Sequence, residues 1–126
     1  MRLVVVFVTL TLALLGSVAS APFEITADAM RDIEYTTKSL DSNETLKDAK
    51  TAAAEAREVV AFFRQVEGFY AQKGDKADAV GYARKTHELA ARALAALEAQ
   101  NFDEAGEVMG SLARSCKSCH DVYKTP

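Results

Sequence analysis

The stretch that decides the fold is Asn101-Phe102-Asp103-Glu104-Ala105-Gly106-Glu107-Val108-Met109-Gly110-Ser111-Leu112-Ala113-Arg114-Ser115-Cys116-Lys117-Ser118-Cys119-His120-Asp121-Val122-Tyr123. Within it Ala105, Met109, Leu112, Cys116, Cys119 and Tyr123 recur in steps of 4, 3, 4, 3 and 4, the period of one face of a helix. Asn101 and Glu104 stand in capping-box spacing just ahead, so the helix starts near Phe102. The two cysteines fall on the stripe that the apolar period turns inward.

Working back from it, three more segments show the same period. One runs from about Lys76 to Ala99, with Ala79, Tyr82 or Ala83, Thr86, Leu89, Ala93 and Leu97 facing in. Before it, Leu46, Ala49, Ala53, Ala56, Val60 and Phe63 form a seam that Val66, Phe69 and Tyr70 widen, with Gly68 or Gly74 as candidate ends. The earliest segment is capped by Thr26, has Asp28 in its first turn, and carries Ala29 or Met30, Ile33, Thr37 and Leu40 on one face. It is expected to stop near Leu40, because Asp41-Ser42-Asn43 reads as a turn and Asp41 with Glu44 as a capping box for the next helix. Four amphipathic helices with short connections predict an all-α fold, an antiparallel up-down-up-down four-helix bundle.

Cys116-Lys117-Ser118-Cys119-His120 is a C-x-x-C-H. Thiols three residues apart on a helix share a face and can form thioethers along one edge of a porphyrin, while the following imidazole becomes an axial iron ligand. A dithiol redox pair usually opens a helix after a strand, and no strand-like run precedes this one. Zinc needs three or four protein ligands, yet the chain has two cysteines and two histidines, and His87 is remote in sequence. The motif therefore predicts one covalently attached haem c with Cys116 and Cys119 as attachment sites and His120 on the iron. Both cysteines are then used, leaving none for a disulfide. The many inward alanines suit close helix approach, or room for a flat cofactor.

Three side chains could fill the other axial position: Met30, Met109 and His87. Met109 lies 11 residues before His120 on the same helix, roughly 16 Å along its axis, and reads as core. His87 sits beside the inward stripe of the third helix and reads as a boundary residue. In an up-down-up-down bundle the start of the first helix lies beside the end of the fourth, which brings Met30 toward His120. A thioether opposite an imidazole fills both axial positions, raises the iron potential and leaves no open site for a substrate. Arg31, Arg114 and Lys124 are candidates to meet the propionates, or are solvated surface charges.

At the other end, Met1-Arg2 precedes an apolar run, Leu3 to Leu15, of signal-peptide length, and Ser17 to Ala21 supplies small residues for cleavage. Residues 1–21 are thus expected to be a cleaved signal and 22–126 one haem-binding domain; an uncleaved anchor is the alternative. Export suits haem attachment, which in bacteria occurs outside the cytoplasmic membrane, so the expected location is the periplasm. Of the 15 basic side chains Arg2 belongs to the leader, so the remainder carries 14 against 18 acidic ones, a net of −4. That balance disfavours nucleic acid and anionic membrane as partners. No nucleophile–base pair or carboxylate constellation suggests hydrolysis, and no enzyme activity is expected.

Over nearly all of its mature length the chain resembles the class II cytochromes c, the cytochrome c-prime family, and the periplasmic four-helix cytochrome b that shares their fold. The stretches Asn101 to Ala105 and Cys116 to Lys124 carry the resemblance most specifically, and Asp28-Ala29-Met30-Arg31-Asp32-Ile33 resembles the segment bearing the methionine ligand in six-coordinate members. The resemblance implies His120 as proximal ligand, Met30 opposite it, and a periplasmic carrier of single electrons between redox partner proteins. It also allows a homodimer. Cytochrome c-prime proper has a five-coordinate iron and an implied role in binding nitric oxide or carbon monoxide. A slip of one helical turn at Met30 would restore that alternative.

Overall fold

The computed structural model describes residues 20–123 and consists of four helices packed against one another, with no strand among the described residues. They are α1 (Ala27–Thr45), α2 (Ala49–Lys73), α3 (Ala77–Glu98) and α4 (Phe102–Tyr123). The expected signal falls almost wholly outside the described residues. Among those residues no helix is long and apolar enough to cross a membrane.

The caps explain where each helix begins. Thr26 Oγ1 accepts from the Ala29 amide at 3.1 Å, as its position predicts. Asn101 Oδ1 accepts from the Glu104 amide at 3.3 Å, and the Glu104 carboxylate accepts in turn from the Asn101 side-chain amide at 3.1 Å. The expected stop at Leu40 is corrected: α1 continues to Thr45, and Asp48 rather than Asp41 caps α2 by accepting from the Thr51 amide at 3.2 Å. Tertiary contacts outweigh the local turn signal there. Ser39 and Asn43 stay helical and donate to the two oxygens of Glu55 on α2, at 2.5 and 2.9 Å. Leu46, expected on the inward seam of α2, is instead the C-cap just after α1 and 76% exposed.

Two helix ends share a geometry. After α1, Lys47 takes φ 60°, its amide donates to Glu44 O and the Asp48 amide to Asn43 O, both at 2.9 Å. After α3, Gln100 takes φ 56°, its amide donates to Leu97 O at 3.0 Å and the Asn101 amide to Ala96 O at 2.8 Å. Each is a Schellman end with a left-handed residue that is not glycine. Helix α2 runs through Gly68 and ends at Gly74, whose φ of 69° suits a residue without Cβ.

Consecutive helices pack side by side, and α1 also meets α4, though that contact is the thinnest of the four. Buried alanines (Ala52, Ala53 and Ala56 on α2; Ala83, Ala90 and Ala93 on α3) let α2 and α3 pack most extensively. Leu40, Val59, Leu97 and Leu112, all fully buried, bring the four helices into one core. Between neighbours, Arg57 pairs with Glu98 at 2.5 Å and Arg84 with Glu67 at 2.8 Å, while Thr86 meets Ser115 at 2.7 Å and Tyr123 meets Asp78. Where α1 and α4 stand apart, the core gives way to a cavity.

Candidate functional site

The cavity has a volume of about 620 Å³, within the range of cofactor clefts, and every helix contributes to its wall. Helix α4 supplies Cys116, Cys119, His120 and Tyr123. Helix α1 faces them with Met30, Ile33, Arg31, Glu34 and Lys38. Phe63, Val66 and Tyr70 of α2 and Ala83 and Thr86 of α3 complete it, so α2 and α3 contribute mostly apolar side chains and α1 the charged ones. The four residues singled out in the sequence, Met30, Cys116, Cys119 and His120, thus line one and the same cavity.

Their setting follows from the helix periods. Cys116 and Cys119 are half-buried, one and two turns beyond fully buried Leu112 on its stripe, and carry free thiols. Burial pushes the Cys116 thiol up, with the Cys119 charge adding to it, and burial and then the Asp78 charge push up Cys119. Both shifts run opposite to the lowered value that marks a reactive redox dithiol. His120 is exposed and also lines the cavity. Met30 is half-buried and packs against the hydrophobic core.

Of the propionate candidates, Arg31 lines the cavity and pairs with Asp28 at 2.8 Å. Arg114 does not: it lines a separate α3–α4 cleft and donates to Ser111 Oγ at 3.0 Å. Lys124 lies outside the described residues. Lys38, not singled out in the sequence, joins Arg31 on the cavity wall and pairs with Glu34 at 2.6 Å. The signal was present as spacing, since residues 30, 31, 34 and 38 recur at helical intervals along one face.

The other axial candidates sit elsewhere. Met109 is buried in the core. His87 is not part of the cavity wall; its Nδ1 lies 2.9 Å from Glu67 Oε2, poorly aligned for a hydrogen bond. Among the described residues no three or more His, Cys, Asp or Glu side chains converge to hold a bare metal ion.

Compared with known proteins, the chain matches no protein-family profile, no curated protein and no solved structure.

The donor set and the space fit a haem. Helix α4 supplies two thiols and an imidazole, α1 a thioether and two cations, and α2 and α3 mostly apolar side chains.

Proposed function

We propose that this chain is a periplasmic c-type cytochrome that carries single electrons through a six-coordinate haem iron. The observation that carries the reading is the convergence of Met30, Cys116, Cys119 and His120 on one cavity. In it Cys116 and Cys119 would anchor the cofactor covalently, His120 and Met30 would ligate its iron, and Arg31 and Lys38 would meet the propionates. The antiparallel run of α2 against α3 and of α3 against α4 is supported by the pairings, and the shared cavity supports the start of α1 lying beside the end of α4. Residue 57 meets 98 while 67 meets 84 and 87, and 86 meets 115 while 78 meets 123.

When bound, the haem supplies the Fe(III)/Fe(II) couple. The chain's own part is to hold that iron in one geometry and to keep water off it. Phe63, Val66 and Ile33 would exclude solvent, and Met30 and His120 would hold the iron in either oxidation state. Nothing in the site offers a substrate an open position, so the partners are redox proteins and no enzyme activity is expected. The leader-like sequence of residues 1–21 supports export.

The test is an optical spectrum of the protein matured with haem, oxidised and reduced, beside Met30→Ala. A weak long-wavelength band of methionine-ligated iron(III) and sharp reduced bands, both lost in the variant, are expected. A high-spin spectrum indifferent to the substitution and shifted by carbon monoxide would instead assign a five-coordinate gas binder of the cytochrome c-prime kind.

A further inference from the structure

We propose that Tyr123 and Asp78 form a latch at the cavity wall beside Cys119 and His120 that slows small exogenous ligands from reaching the cavity and displacing Met30 from the iron; this rests on the haem reading above. Tyr123 stands three residues beyond His120, and its ring is part of the cavity wall. That ring lies 5.6 Å from the ring of Tyr70, another wall residue, and Lys76 Nζ sits 5.2 Å from its centroid. The Tyr123 hydroxyl donates to the carboxylate of Asp78 in the first turn of α3. Three elements therefore meet on one side chain: α2 through Tyr70, the α2–α3 turn through Lys76, and α3 through Asp78.

The tie has physical weight because its acceptor is ionised. The Tyr123 hydrogen bond holds the Asp78 carboxyl below its usual range, and the same bond, then desolvation and the Asp78 charge, push the Tyr123 phenol up to about 12. The ring stands at the cavity wall against Tyr70 and Lys76, and the hydroxyl adds the tie to Asp78. Replacing Tyr123 by phenylalanine keeps the ring and removes the tie, and Asp78→Asn keeps a neutral acceptor and removes the charge.

Rapid mixing of the full-length, haem-loaded protein with imidazole (ferric) and with carbon monoxide (ferrous) tests the latch. Tyr123→Phe and Asp78→Asn should each bind faster by about 3- to 10-fold, and the double variant no faster than Tyr123→Phe alone. Asn101→Ala, which weakens the opposite end of α4, should leave both rates unchanged. Equal rates in wild type and Tyr123→Phe, or equal acceleration by Asn101→Ala, would overturn the latch. In the cofactor-free protein, amide exchange in the last turn of α4 should quicken in Tyr123→Phe and not in Asn101→Ala. Failure of wild-type protein to retain haem on a denaturing gel would sink the haem reading, while the exchange comparison would still decide the latch.

Discussion

Thr86 on α3 and Ser115 on α4 face each other with their hydroxyl oxygens 2.7 Å apart, 1% and 4% exposed. Thr86 has one proton, and it goes to the Tyr82 carbonyl at 2.8 Å, so Ser115 donates to Thr86. Thr86 also lines the main cavity, whereas Ser115 lines the α3–α4 cleft, so the pair forms the wall between them. The two substitutions are then unequal. Thr86→Val orphans a buried donor and should cost about 1–3 kcal/mol, Ser115→Ala less, because the oxygen it leaves on Thr86 keeps its own bond. Adding Ser115→Ala to Thr86→Val should recover part of the loss. Urea unfolding of the four proteins checks this, and a fully additive double variant would refute the assigned proton direction.

His87 offers a negative test of the axial assignment. Its imidazole points to Glu67 rather than into the cavity. In haem-loaded protein His87→Ala should leave the oxidised and reduced spectra unchanged, while His120→Ala abolishes them in their low-spin form. A spectral change in His87→Ala would mean that the iron sits nearer α3 than Met30 allows.

Asp48 ties stability to pH. The Thr51 hydroxyl, at 2.7 Å, and the Thr51 amide hold its carboxyl below the ordinary 3.8. A folded value below the unfolded one means that the cap contributes fully above pH 3.8, and that this contribution fades as pH falls through the lower folded value. The difference in Tm between wild type and Asp48→Ala should therefore be constant from neutrality to about pH 5 and shrink in stronger acid. A difference that persists undiminished to about pH 2 would remove the carboxylate from the cap.

The inward stripes were legible because each rests on a period that the four packed helices preserve. Ala79, Thr86, Leu89, Ala93 and Leu97 are buried as their spacing implies, and Ala105, Met109 and Leu112 lead to the half-buried cysteines as theirs does. The cavity-lining role of Met30 was legible only by combining a topology with a residue type. What sequence concealed was tertiary in origin. Asn43 and Ser39 look like turn residues until Glu55 is opposite them. Glu44 looks like a capping residue but is buried where Gly106 of α4 leaves room: a Cβ there would meet its carboxylate at 3.4 Å. Lys38 carries no motif, and only the meeting of helices gives it a place on the cavity wall.

The same lesson gives a stability prediction of opposite signs at two helix ends. Gln100 and Gly74 both occupy left-handed backbone, at φ 56° and 69°, yet only one is glycine. An L side chain pays about 1 kcal/mol for that region, whereas glycine enters it freely and loses more chain entropy on folding. At Gly74 nothing lies within 4 Å of where a Cβ would stand, so the cost of Gly74→Ala is conformational alone and should be about 1 kcal/mol. Gln100→Gly relieves the strain while keeping both Schellman amide bonds, and should raise stability by about 0.5–1 kcal/mol. Combined, the two changes should nearly cancel, since they sit at the ends of different helices and share no partner. Chemical denaturation of the three variants settles it: a destabilised Gln100→Gly would mean that the glutamine side chain contributes more to the α3–α4 turn than its backbone costs.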